Sequence, residues 1–413
     1  MAYNAIITTI TTKPHPNADR IQLGLVLGNQ VIVGLNVKDG DRGVYFPPDG
    51  IISHQFALRN NLYNKAALVA LGLEDTGKYG FFDAHRRVRV QKFRGERSEG
   101  LWLPITSLDG TFQSGVDCYD VGYSFDHWGG VRICEKWESK ATKQRQSQTG
   151  RSVKKGELPT FPKHMDTEQW RYMWENIPAE SLLTVTEKLH GTSHRVTVIK
   201  EDRPWWKFWA KPKLVRVDGS RNVIINESSG GGYYGDDQFR FNAVHTAPRL
   251  GEVLYGEIVG YTTNGNPIMP PAKVDKKDLP DVHDTYGSGF DWSYDQNVGQ
   301  CEFFIYRIVQ FCEDGHGIEL SYHQMVKRAH QLGYRTPPLI SQTFMTDPSI
   351  NPMVEQWSDG PSIVDPGHIR EGVVIRVDSP SSTYYLKNKS FAFKLIEGII
   401  KSDDSIVDME EAS

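Results

Sequence analysis

The sequence predicts an α+β fold in two domains, a small β-barrel or sandwich followed by a larger domain of strands and helices. Three observations lead there. Residues 1 to about 130 break into short apolar runs separated by Gly, Pro, Asn and Asp turns. Residues 136–164 then change composition: eight Lys or Arg against two Glu give +6, and Gln, Ser, Thr and Gly fill most of the rest, as in a linker. Beyond it, strand-forming and helix-periodic stretches both occur. The 413 residues suffice for two cores. The boundaries drawn are a β domain at 1–135, a basic linker at 136–160, a larger domain at 161–401 and an acidic, frayed tail at 402–413.

In the first domain, apolar runs at 21–27, 30–35 and 43–46 are divided by Gly28-Asn29, Asp39-Gly40-Asp41 and Pro47-Pro48-Asp49-Gly50. Val88-Arg89-Val90 and Leu101-Trp102-Leu103 add strands. Arg86, Arg87, Arg89, Lys92, Arg94 and Arg97 form a basic cluster that suits either nucleic-acid contact or a solvated face. The linker charge would favour a phosphate backbone, although linkers are often simply polar. The stretch His15-Pro16-Asn17-Ala18-Asp19-Arg20 resembles the opening of OB-type tRNA-binding modules.

In the second domain, Asp166 and Gln169 suggest a capping box for a helix at about 167–176, ended by Pro178. The aromatic run at 205–209 suits base stacking or, slightly better, packing. The glycines at 230–232 lack the Lys-Ser/Thr of a P-loop. Residues 261–300, rich in Pro, Asp and Gly, predict a surface excursion or lid. Met325, Val326, Ala329 and Leu332 share one helical face, with Gly333 as the stop.

The chemistry concentrates in Thr184-Val185-Thr186-Glu187-Lys188-Leu189-His190-Gly191-Thr192-Ser193. Thr184, Val185 and Thr186 suit a strand, and Lys188 stands where it runs out. A lysine amine attacks only when neutral, and an unperturbed one titrates near ~10.4. Beside other cations and partly desolvated, it loses its proton nearer neutrality. Alone, these residues are more simply an exposed Lys at a strand end.

Five further motifs follow in order: Ser220-Arg221; Glu257 in Leu-Tyr-Gly-Glu-Ile-Val-Gly; Tyr306 in Phe-Phe-Ile-Tyr-Arg-Ile; Glu371-Gly372; and Lys387 with Lys389 in Leu-Lys-Asn-Lys. The series resembles the covalent nucleotidyltransferases, namely RNA ligases, DNA ligases and mRNA capping enzymes. With His190 where Asp is usual, it is most similar to RNA ligases that seal nicks in duplex RNA. The resemblance covers about two hundred residues. It implies a C-terminal adenylyltransferase (ATP-grasp-like ligase) domain of antiparallel sheets and helices behind an OB-like module. Only 24 residues follow Lys389, too few for the C-terminal OB domain of DNA ligases and capping enzymes.

The resemblance also implies roles. Lys188 would attack the α-phosphorus of ATP, and Lys387 and Lys389, alternating on one strand face, would hold that phosphate. Glu257 would bind ribose, Glu371 a divalent Mg2+ or Mn2+, with Glu257 a second candidate metal ligand. Arg221 would hold ribose or phosphate, and His190, next to Gly191, ribose or a metal-bound water. Tyr306 would stack on adenine, with Phe304 as a second candidate because the usual Phe-Asp-Ile reads Tyr306-Arg307-Ile308. Glu187 would read the adenine edge. The implied partners are ATP and a nicked duplex with an RNA 3′-OH strand. A non-catalytic RNA-binding protein on a ligase fold and a GTP-using capping-type guanylyltransferase are the alternatives.

Composition narrows the rest. Hydrophobic residues make up 38% and charged residues 24%, as in a globular protein, and there is neither a membrane-length apolar run nor a signal-peptide pattern. Cys118, Cys134, Cys301 and Cys312 form no Cys-x-x-Cys pair and read as reduced thiols of a cytoplasmic protein. A monomer is expected. The net charge of -4 requires any nucleic-acid-binding groups to be local. A zinc role for His190, His194 and His245 is disfavoured, since no closed ligand pattern with Cys exists.

Overall fold

The computed structural model describes residues 3–75, 77–109, 120–138, 140, 143, 158, 160–200, 213–225, 237–312, 314–346 and 349–401. Most of the basic linker, the aromatic run at 205–209, the glycines at 230–232, Cys118 and the acidic tail lie outside them. The chain divides into two compact units, Met1–Glu138 and Ser139–Ser413.

The first unit is built of short antiparallel sheets. One runs in the order Leu101–Pro104, Arg42–Phe46, Ala5–Thr9, Ser124–Phe125, and another Thr11–Pro14, Ile21–Val26, Asn29–Gly34. Two helices that the sequence pattern did not reveal, His54–Arg59 and Lys65–Ala70, start from Ser53 and Asn64, whose side chains accept backbone N–H groups of the first turn. Phe56, Ala57, Ala67 and Leu68 of these helices join Ile7, Val44, Phe46 and Trp128 in one core. The expected basic cluster is divided. Arg87 is buried and paired with Asp49 at 3.0 Å, and Arg86 donates to the Ile52 carbonyl at 2.9 Å. Arg94 and Arg97 are exposed on the hairpin Val90–Phe93/Glu96–Glu99. Its tip is held by Asn17 Nδ2, which donates to the Arg94 carbonyl at 3.1 Å.

The second unit has two sheets. The first runs in the order Glu168–Gln169, Thr383–Lys389, Gly372–Asp378, Leu182–Lys188, Leu339–Phe344, antiparallel except at the Glu168–Gln169 edge. Its β-branched sequences favour the extended chain. Leu183, Val185, Val373, Ile375 and Val377 bury one face against Trp170, Ile350 and Val354, each worth roughly 1.5–3 kcal/mol of transfer energy. Period-two alternation turns Thr184, Thr186, Lys188, Val374 and Arg376 to the other face, which lines a cleft. The second sheet is antiparallel, ordered Ile224–Ile225, Leu214–Gly219, Thr192–Lys200, Glu252–Gly260, Cys301–Phe311, Gly317–Glu319. The chain leaves the first sheet at Lys188 and enters the second at Thr192, so the lysine stands at the crossing.

The helix Tyr322–Gln331 buries Met325 and Ala329, and Leu332 follows beneath it. The capping box at Asp166 does not form. Asp166 pairs instead with Arg221 at 2.7 Å, residues Glu168–Gln169 become an edge strand, and only Trp170–Met173 is α-helical, followed by a 3-10 turn, Trp174–Asn176. The 261–300 segment is not a bare surface excursion. It holds the hairpin Ala272–Lys273/Gly289–Phe290 and the helix Pro280–Tyr286, and it buries Trp292 and Tyr294. No helix among the described residues is long and apolar enough to cross a membrane.

Candidate active site

Strand register builds the site. Lys188 pairs with Gly372, and Gly372 pairs with Lys389, so the two lysines flank a glycine across three adjacent strands. A Cβ at Gly372 would lie 2.1 Å from the Asn388 carbonyl oxygen, so only glycine fits. The residue before it, Glu371, is fully buried and reaches both lysines. Its Oε1 is 2.8 Å from Lys188 Nζ and 3.4 Å from Lys389 Nζ, and its Oε2 is 3.5 Å from His190 Nδ1. Burial pushes the Glu371 carboxyl up, but Lys188, Lys389 and His190 together outweigh it and hold the group at about 2. Lys389 also pairs with Glu397 at 3.1 Å.

Gly191 has a similar steric cause. A Cβ there would lie 2.3 Å from the Ile258 carbonyl oxygen. This close approach sets the crossing segment against the Glu252–Gly260 strand, which carries Glu257. Ser193 is the register partner of Glu257 and donates to its Oε2 at 3.3 Å.

The cleft encloses about 1260 Å³ including its open mouth, and both sheets line it. Lys188, His190, Gly191, Arg221, Glu257, Tyr306, Glu371 and Lys387 all belong to the lining, as do Val374, Arg307 and Arg376. Tyr306 is held by His164, whose Nε2 meets its hydroxyl. Burial lowers the His164 ring to about 4, so it is neutral at pH 7. Arg195, at 3% exposure, donates to the Ser220 and Phe161 carbonyls at 3.0 and 2.9 Å and so fixes the segment that delivers His164.

One expected residue stands elsewhere, and a second is held from behind. Phe304 is fully buried outside the cleft, with the Arg335 guanidinium 4.8 Å from its ring centre, so only Tyr306 offers an aromatic ring at this motif. The Glu187 carboxylate lies off the lysine-bearing face. Alternation turns it away from Lys188, and its Oε2 accepts from the Ile363 N–H at 2.8 Å. Burial raises its pKa against the hydrogen bonds from Ser362 and Ile363. Glu187 nonetheless belongs to the cleft lining.

Arg307, the departure from the usual motif, has its own partner. Its Nε donates to Glu319 at 2.6 Å, and the Tyr385 hydroxyl donates to the same carboxylate at 2.5 Å. Arg376 pairs with it at 3.2 Å, so Glu319 ties the two sheets together beside the cleft. His194 Nε2 pairs with Asp218 at 3.0 Å.

Among the described residues, no three His, Cys, Asp or Glu side chains converge closely enough to hold a metal ion alone. Neither Glu371 oxygen has a partner in hydrogen-bond geometry, so this buried carboxylate keeps acceptor capacity beyond its ion pairs. A cation drawing one or two carboxylates from the protein and the rest from phosphate and water fits this set, as is usual for magnesium at phosphates.

Sequence reasoning missed His164, Arg195, Glu319 and Tyr294. Arg195 carried a signal, a long cation in the middle of an otherwise β-branched strand. The others did not: His164 meets Tyr306 142 residues on, Tyr294 meets His190 104 residues back, and Glu319 joins Arg307 to Tyr385, 66 residues beyond it.

A family model for RNA ligase matches residues 182–396. Among solved structures, a variant RNA ligase from Naegleria gruberi with AMP and manganese aligns with a TM-score of 0.61 at 20% identity, covering 95% of this chain and 98% of that one. A second variant of that ligase, with ATP and manganese, aligns at 0.59 and 20% over the same shares. The ligase with pyrophosphate aligns at 0.59 and 20%, covering 94% and 97%. No curated protein matches the chain by sequence.

Proposed function

The chain belongs to the RNA ligase family, and from that premise we propose that it is an ATP-dependent ligase sealing 3′-OH/5′-phosphate nicks in RNA-containing duplexes. The observation that carries this reading is Lys188 at the crossing of two sheets, ion-paired to a fully buried Glu371 and opening on a cleft lined by both sheets. ATP, AMP and manganese in the Naegleria ligase structures support the choice of nucleotide and cation.

In the first step Lys188 Nζ, once its ion-pair proton has gone to solvent, bonds to the α-phosphorus of ATP and pyrophosphate leaves, giving lysyl-AMP. The AMP then passes to the 5′-phosphate of the nick. Attack by the 3′-OH seals the strand and releases AMP. The protein's work is placement and charge compensation. Glu371 holds Lys188 Nζ at one point of the cleft. Its carboxyl stays ionised at neutral pH, so it serves as a fixed anion. Lys387 supplies a cation for the α-phosphate, and Lys389, tied to Glu371 and Glu397, sets the field around the nucleophile. Tyr306 from one sheet and Val374 from the other take the two faces of the adenine, with His164 fixing the Tyr306 ring. Glu257 and Arg221 take the ribose. Glu371 and Glu257 would hold Mg2+ or Mn2+, which neutralises charge on the phosphates.

The first unit, read as OB-like, would engage the polynucleotide through the hairpin bearing Lys92, Arg94 and Arg97. A non-catalytic RNA-binding role is disfavoured by the complete charge constellation around Lys188. The test is sealing of a nicked duplex, with an RNA 3′-OH strand and a labelled 5′-phosphate strand, in the presence of ATP or of GTP. Sealing with ATP alone is expected. Sealing only with GTP, or none with either, contradicts the proposal.

A further inference from the structure

The 261–300 segment reaches the motif that carries the nucleophile. Tyr294 is fully buried, and its hydroxyl oxygen accepts the backbone N–H of His190 at 2.6 Å. His190 lies two residues after Lys188, beyond the end of its strand, where a backbone N–H has no ladder partner of its own. A buried N–H left unpaired is costly, so this hydroxyl fixes the path of the crossing. Trp292 packs edge-on to the His190 ring at 4.9 Å, and Phe393 does so at 4.8 Å. Backbone and ring of His190 are thus both clamped.

The clamp is itself held in an uncommon conformation. Tyr294 and Asp295 have φ of +50° and +64°, a region that a bulky residue such as Tyr rarely enters without a compensating contact. Asp365 supplies one: its Oδ2 accepts from Ser293 Oγ at 2.9 Å and from the Asp295 N–H at 3.0 Å, bracketing Tyr294. His368 packs edge-on against the Tyr294 ring at 4.6 Å.

We infer that Tyr294, braced by Asp365, is a positioning residue for the nucleophile: its hydroxyl fixes the Leu189–Gly191 backbone so that Lys188 and His190 meet Glu371 in one arrangement. This inference rests on the proposed adenylylation at Lys188. It follows that the step in which Lys188 attacks should depend on Tyr294 more than the final sealing step, in which the lysine amine is not the nucleophile.

The test compares wild type with Tyr294→Phe in three measurements. Self-adenylylation by ATP should slow by at least about tenfold with KM for ATP nearly unchanged, the signature of a displaced reacting group. Sealing of a pre-adenylylated nick should stay within about threefold, on the same physical ground. Hydrogen exchange at the His190 amide should accelerate while the rest of the second unit keeps its protection. Equal adenylylation rates and equal exchange overturn the inference. A parallel loss in both chemical steps, together with a general loss of protection, also overturns it, because the role is then one of folding only. If Tyr294→Phe does not fold, Asp365→Ala, which leaves the hydroxyl but loosens its turn, is held to the same criteria. If wild type forms no adduct, the proposed function fails, and the exchange measurement alone still decides whether Tyr294 holds the His190 backbone.

Discussion

Glu371→Gln keeps the shape of the side chain and removes the anion that Lys188 and Lys389 share. In the folded protein the carboxyl falls from its ordinary 4.5 to about 2. A depression of that size corresponds to about 3 kcal/mol of stability carried by the ionised form. Removing one partner of a buried ion pair commonly costs about 3–5 kcal/mol, because the opposite charge is left without compensation. Lys389 keeps Glu397, which places the expected loss near the lower figure. The pH sense follows from the folded value lying below the unfolded one. The stabilisation is complete above about pH 4.5 and is lost as pH falls toward 2. His164 acts in a separate window. Its folded value of about 4 lies below 6.5, so its share is lost as pH falls between those limits in wild type and variant alike. Urea unfolding, fitted as two transitions for two units, should show the second unit weakened by about 3 kcal/mol at pH 7, with a flatter acid limb below pH 4.5. An unchanged midpoint at pH 7 and the same acid limb as wild type would refute this account of the buried anion.

Three further outcomes follow from the geometry. Tyr306→Ala should raise KM for ATP roughly five- to hundredfold, since base stacking is worth about 1–3 kcal/mol, whereas Tyr306→Phe, which keeps the ring and loses only the His164 contact, should raise it less; steady-state adenylylation checks both. Gly191→Ala places a methyl 2.3 Å from the Ile258 carbonyl oxygen, so a loss of about 1–3 kcal/mol in thermal unfolding and a slower first step are expected. A fragment of residues 139–413 should still form lysyl-AMP but lose most sealing of 5′-phosphate nicks, with nick affinity less steeply dependent on salt than the full chain's in a filter-binding titration.

Much of the site was legible in the sequence because its residues are local in motif and glycine marks the tight places. Lys188, Gly191 and Gly372 declare a strand end and two close backbone approaches, and the lysine pair at 387 and 389 shares one face by alternation alone. The short helices of the first unit stayed hidden because six-residue helices barely complete the apolar period. The capping signal at Asp166 misled because a distant arginine, Arg221, outcompeted the local N–H groups for the carboxylate. Glu187 lines the cleft beside the nucleophile as the motif suggests, but its hydrogen bond to the Ile363 N–H, 176 residues on, was not legible in the sequence. The polar composition of 261–300 concealed Trp292 and Tyr294, two anchors whose partner, His190, lies about a hundred residues upstream.

The central claim is that Lys188 is the covalent nucleophile, and the direct measurement is peptide mapping of protein incubated with α-labelled ATP. A single AMP adduct is expected on the peptide containing Lys188, absent from a folded Lys188→Ala variant and not formed from GTP. An adduct on another residue, or one that persists in Lys188→Ala, would contradict it.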